Sequence, residues 1–293
     1  MSVFELVAIW LKRRLDFNEF ITCLFSMTIF VTNADFCAFD SIIVQFQKFR
    51  NLIKKPTCNY SQEIIELDQQ VFFDTLSLFI RDRETVYGNI KNETNLREYA
   101  ITAILATTIS SALYGATMGL YAGGFQILFD AAKIPMLLLI SLFVSLPTFF
   151  VLNGILGGEL SFKQMSVLFM ISVTVMSVMM IAFLPVTLFF TLTTPERTFV
   201  AYGFTVLLNV LFFAISGATA VIYLMNGFNK IHGENKKWVP AMLIGSAVLA
   251  FVGTQLAWVM RPYFHTSLTF VAPPEGNFYI ALFNLIARLI MGG

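Results

Sequence analysis

From Tyr99 onward the chain alternates long uncharged apolar stretches with short polar breaks, and each stretch is long enough to form a membrane-crossing helix. A spanning helix needs about 20 predominantly apolar residues. Five segments meet that length: 99–121, 134–156, 165–190, 199–224 and 239–259, none of which contains a charged residue. The breaks between them are short, so the pattern predicts an antiparallel, all-α bundle of five transmembrane helices. Residues Phe278, Leu282, Leu285, Ile286 and Leu289 then recur at helical spacing. They predict one more amphipathic helix, too short to span, lying at the membrane interface.

Charge is distributed in the opposite sense. Of the 37 charged residues, 24 fall within the first 98 positions. The chain therefore divides into a helical module over 1–98, a five-span bundle over 99–260 and an interfacial tail over 261–293. Within the module, 3–17 reads as a helix carrying Trp10 and ending on Lys12, Arg13 and Arg14. A basic helix bearing Trp suits a membrane surface, where apolar insertion and attraction to anionic lipid add together. Packing against its own domain is the alternative for the same pattern. Ser61, followed by Gln62 and Glu63, starts a second predicted helix running to Arg81. The uncharged run 20–34 is short for a span and reads as a buried or interfacial helix. As a sixth span it would put Lys12, Arg13 and Arg14 outside, against the positive-inside rule.

That rule also orients the bundle. With the N-terminus in the cytoplasm, the inner segments hold eleven basic residues before Tyr99, then Lys163, Lys230, Lys236 and Lys237; the outer segments hold Lys133, Arg197, Arg261 and Arg288. Fifteen against four predicts N-in, C-out in the inner (plasma) membrane. Asn59 and Asn92 fit the glycosylation pattern, and the cytoplasmic placement argues against their use.

Composition fits a lipid solvent: the chain is 57% hydrophobic and 13% charged, against about a quarter charged for soluble domains. A net charge of +1 gives no nucleic-acid footprint. Cys23, Cys37 and Cys58 share no metal-ligand spacing, and the isolated His232 and His265 have no neighbouring ligand set. No hydrolase, metalloprotease or nucleotide-binding motif is present, so neither an enzyme nor a cofactor is expected.

Inside the spans, chemistry is sparse. Gly115, Gly119 and Gly123 repeat every four residues, the spacing that lets another helix approach closely. Pro147 and Pro185 predict kinks, and Pro135 opens the second span. Asn209, Ser216, Thr254 and Gln255 are candidates for interhelical or pore-lining contacts; Asn209 and Gln255 are expected to point inward, because an unpaired amide is costly in lipid. With no ionisable residue inside any predicted span, a proton- or ion-coupled pump is disfavoured. Trp258 and Arg261 fit interfacial anchoring.

The ending Gly253-Thr-Gln255-Leu-Ala-Trp258-Val-Met-Arg261-Pro262-Tyr263, with the tail Gly276-Asn277-Phe278-Tyr279, resembles a widespread, largely uncharacterised family of bacterial multi-span proteins. Lys133-Ile-Pro135 and Leu146-Pro147-Thr148 are similar to that family as well. The likeness runs from Tyr99 to the last residue and leaves out 1–98. Five spans behind a cytosolic N-terminus also distantly resemble the Ypt-interacting membrane protein family, whose acidic tyrosine-glycine motif is missing. Neither resemblance implies an activity or a functional residue.

The pattern is expected to serve a homo-oligomeric pore or gated membrane effector, with the lipid bilayer as partner and a cytosolic protein or small signal acting at 1–98. Such a device would suit bacterial phage defence. A non-conducting scaffold or adaptor is the alternative, and a small-solute transporter comes third.

Overall fold

The computed structural model describes residues 59–155, 160–193, 198–232, 238–264, 270–271 and 276–291. The sequence-predicted helix at 3–17, the run 20–34 and the anchors Trp10, Lys12, Arg13 and Arg14 lie outside the described residues. All secondary structure among the described residues is helical: α1 (Asn59–Arg81), α2 (Arg83–Lys91), α3 (Leu96–Gly119), α4 (Gln126–Ile155), α5 (Phe162–Thr193), α6 (Phe199–His232), α7 (Trp238–Val259) and α8 (Phe278–Met291). Five of these, α3 to α7, are long and apolar enough to cross a membrane.

The chain divides into two compact units, Met1–Val71 and Phe72–Gly293. Residues 72–98 thus share a unit with the long helices. Two contacts fix them there: Thr75 donates to Glu98 at 3.1 Å, and the rings of Phe79 and Tyr99 meet edge to face at 5.4 Å. Between α1 and α2 the charged stretch around Asp82 acts as a helix cap. Asp82 accepts from the Thr85 amide and hydroxyl, at 3.2 and 2.6 Å, and those bonds hold its carboxyl below the usual range.

The long helices pack in the order α7–α4–α3–α5–α6, with a lighter contact closing α6 onto α7; consecutive helices run antiparallel, and α3 and α5 lie parallel. Small residues put α3 in the middle. Ala103, Ala106, Ser110, Ser111, Gly115 and Gly119 are all buried along it, so α4 and α5 can both approach closely. Thr107 and Thr174 bridge α3 to α5 at 3.1 Å, and Thr174 also donates to the Ala103 carbonyl. Most other hydroxyls bond back to their own helix, as Ser111, Ser172 and Thr205 do.

One end of this bundle, the α2 end, gathers α2, the starts of α3, α5 and α7, and the end of α6. The opposite end, here the Pro262 end, holds the start of α4 and the residues that follow α7.

The second span departs from expectation. α4 is 30 residues long and starts at Gln126, so Pro135 lies well inside the helix instead of opening it. The extension brings Asp130 and Lys133 into a long apolar helix, where both are fully buried. The expectation that no span contains an ionisable residue is therefore corrected. The hydropathy pattern stops at the first charge, whereas a helix continues wherever its charges find partners.

Candidate functional site, a buried ion pair beside Pro262

The glycine-bearing face of α3 lies directly against the charged start of α4. A methyl group on Gly115 would overlap the backbone carbonyl of Asp130, and one on Gly119 would come within 2.6 Å of the Ile127 Cα. These two residues are where α3 and α4 touch. Gly123 lies beyond the end of α3 in a turn, with φ +78° and open space around its α-carbon, so it serves chain reversal.

This close approach buries the first turns of α4 and sets Lys133 Nζ 3.5 Å from Asp130 Oδ1. Gln126, one turn earlier, donates to the same Asp130 oxygen at 2.8 Å. The segment after α7 completes the cluster. The carbonyl of Pro262 accepts from Lys133 Nζ and from Gln126 Nε2, each at 2.7 Å. The ammonium also stands 5.4 Å from the ring centres of both Tyr263 and Phe270, a cation–π cage. Phe129 packs edge to face on Phe270, and Tyr121 and Tyr202 do the same on Phe264.

Not every polar atom here is served. Asp130 Oδ2, Gln126 Oε1 and the hydroxyls of Tyr121 and Tyr263 are buried without a hydrogen-bond partner. Burial pushes the Tyr263 phenol well above its ordinary range. Two pieces of sequence separated by more than 120 residues thus meet: Lys133-Ile-Pro135 and Arg261-Pro262-Tyr263. The sequence reading flagged both, but it had no means of pairing them.

The remaining sequence-flagged residues are dispersed. Asn209 is buried on α6, accepts from the Tyr114 hydroxyl at 2.7 Å and donates to the Thr205 carbonyl at 2.8 Å. Ser216 is buried on the same helix with its hydroxyl unpartnered. Thr254 donates to the Phe251 carbonyl and pairs with the Tyr279 hydroxyl of α8 at 3.0 Å. Gln255 is partly buried on α7, the long helix with the smallest buried share. Arg261 stacks over the Trp258 ring at 3.8 Å. Pro147 and Pro185 lie inside α4 and α5.

Sequence reasoning also missed the clamp at the α2 end. Tyr87 donates to the backbone carbonyl of Tyr223 at 2.9 Å, Lys230 pairs with Glu84, and Gln164 donates to the carbonyls of Ile90 and Lys91 at 3.1 and 3.0 Å. Burial raises the Tyr87 phenol far above its usual range, so it stays a neutral donor. Among the described residues no three His, Cys, Asp or Glu side chains group at metal-binding distance. No family model, no curated protein and no solved structure matches this chain.

Proposed function

We propose that this protein is a non-enzymatic integral membrane protein that works as a homo-oligomeric pore or gated membrane effector, governed by its N-terminal region. The observation that carries the reading is Gln255. Gln255 is partly buried on α7, a helix only 11% of whose apolar window is buried within the subunit. An unpaired amide facing hydrocarbon costs several kcal/mol, so this face is completed by another subunit or by water. The middle of the single subunit is filled by Tyr114, Ser111, Thr174 and Ser177, none of them more than 1% exposed. A conduit then belongs between subunits.

Two measurements test this. The protein reconstituted in nanodiscs is expected to be oligomeric, with Gln255→Leu shifting it towards monomer. Liposomes containing the wild type are expected to release a trapped dye or ion, and those containing Gln255→Leu to release less. A monomeric wild type, or tight liposomes under every condition, would sink the proposal. Tight liposomes with an intact oligomer would favour the scaffold reading, which the filled interior also suits. The Asp130–Lys133 pair favours the third reading, a small-solute transporter, because ionisable groups within spans commonly mark coupled transport.

A further inference from the structure

At the Pro262 end a backbone carbonyl draws Lys133 away from Asp130. Gln126 Nε2 is shared between Asp130 Oδ1 and the Pro262 carbonyl, and Lys133 Nζ stands between the same two oxygens, closer to the carbonyl by 2.7 Å against 3.5 Å. Asp130 is fully buried and its Oδ2 has no partner. A carboxylate in that position keeps one charged oxygen bare where neither water nor lipid supplies a donor, and buried charge of this kind is strongly disfavoured. A proton on Oδ2 cancels the charge and turns the bare acceptor into a donor. The unpartnered Oε1 of Gln126, on the amide that already touches Asp130, is an acceptor it could serve.

Lys133 does not depend on Asp130 for its stabilisation. Its short hydrogen bond goes to the Pro262 carbonyl, and both aromatic faces around it come from Tyr263 and Phe270. All three belong to the segment after α7.

We infer that Asp130 is a proton-binding site coupled to the segment after α7. It holds a proton while the Pro262 carbonyl is seated between Gln126 and Lys133, and releases it when that carbonyl leaves and Lys133 closes on the carboxylate. The sign follows from competition for donors. With the carbonyl seated, Gln126 is the close donor to Asp130 and the neutral acid is favoured; with the carbonyl gone, Lys133 closes on the carboxylate and water enters. Acid therefore favours the seated arrangement, and rising pH weakens it.

The other ionisable groups at this end, among the described residues, are Tyr121 from the α3–α4 turn, Tyr202 from α6, Arg261 and Tyr263 beside Pro262, and Arg288 from α8. None of these is a carboxyl or an imidazole. His265 and Glu275 fall outside the described residues and are controlled by substitution. The inference is independent of whether an assembly conducts.

The test is amide exchange over 261–264 and 270–271 in the full chain in nanodiscs, expressed relative to the intrinsic rate at each pH. Wild-type exchange should increase with pH by up to about tenfold per unit, the limit for one linked proton. Asp130→Asn, which mimics the protonated form, should stay protected and lose the pH dependence. The double variant His265→Gln/Glu275→Gln should behave like wild type. Exchange independent of pH in the wild type, pH dependence surviving in Asp130→Asn, or pH dependence lost in the double variant would each overturn the inference. If Asp130→Asn does not fold, infrared spectra of the wild type decide. A protonated-carboxyl band that disappears in step with rising exchange supports it, and absence of that band at every pH refutes it.

Discussion

Glycines on a helix are common, and only the surroundings of each one give it meaning. At Gly115 the missing Cβ is replaced by the backbone carbonyl of Asp130, so a methyl group there has to push two helix backbones apart. Gly217 on α6 has nothing within 4 Å of the position a Cβ would take. Gly115→Ala should therefore lower stability by about 1–3 kcal/mol, the usual range for overpacking. Gly217→Ala should be neutral or raise stability by about 0.5–1 kcal/mol, because alanine loses less conformational freedom in a helix. Unfolding titrations in mixed micelles would compare the two, and equal effects of either sign would refute the argument. The sequence showed the four-residue spacing of Gly115 and Gly119 and its usual meaning in membranes. It could not show that Gly123 falls beyond the helix, because helix ends depend on where the chain finds its next partner. Nor could it show that the surface met by Gly115 carries an ion pair. Asp130 and Lys133 are three residues apart and lie next to an apolar run, a pattern equally typical of a solvated helix end. Burial alone distinguishes the two cases.

At the scale of elements, the long helices were legible because apolar length is a strong signal, and α8 because its period is helical over 14 residues. The short helix α2 was not. Its nine residues, Arg83–Lys91, carry five polar side chains against three apolar ones, and the mixed charges of 81–84 read as a solvated face or turn. What makes them a helix is the Asp82 cap at one end and the Gln164 side chain at the other. Gln164 is buried, donates to the last carbonyls of α2 and accepts from the Ser161 amide at 2.8 Å. Such carbonyls at a helix end have no intrahelical partner and need one from elsewhere. Gln164→Leu keeps the volume and removes all three bonds, at a cost of roughly 1–3 kcal/mol for buried groups left unpaired. The expected result is amide exchange through 83–91 faster by about tenfold or more, since each ~1.4 kcal/mol is a factor of ten. The middle of α3 should be unaffected. Unchanged protection of α2 would mean that Tyr87 and the Lys230–Glu84 pair hold it without help.

For the whole molecule, the fold turns a count of loop charges into a statement about two ends. The bond from Tyr87 to Tyr223 and the pairing of Lys230 with Glu84 place α2 and the end of α6 together. Arg81, Arg83, Lys91, Arg97, Lys163 and Lys230 then all belong to the α2 end. At the Pro262 end the basic residues among the described ones are Lys133, Arg261 and Arg288, and the first of these is fully buried, so it is not a loop charge facing either side of a bilayer. Removing Lys133 from the count widens the asymmetry, and on the positive-inside rule the expectation to be tested is that the α2 end faces the cytoplasm. A cysteine placed at Thr94, in the α2–α3 turn, should be shielded from a membrane-impermeant thiol reagent in intact cells and labelled after lysis. A cysteine at Phe125, 67% exposed before α4, should be labelled in intact cells. Both readings are taken as increments over the parent chain, because Cys23, Cys37 and Cys58 are native. The reverse pattern would invert the bundle and move the Asp130 site to the cytoplasmic face. Labelling at both positions from outside would mean that the number of crossings between them is even, which a single span through α3 does not allow.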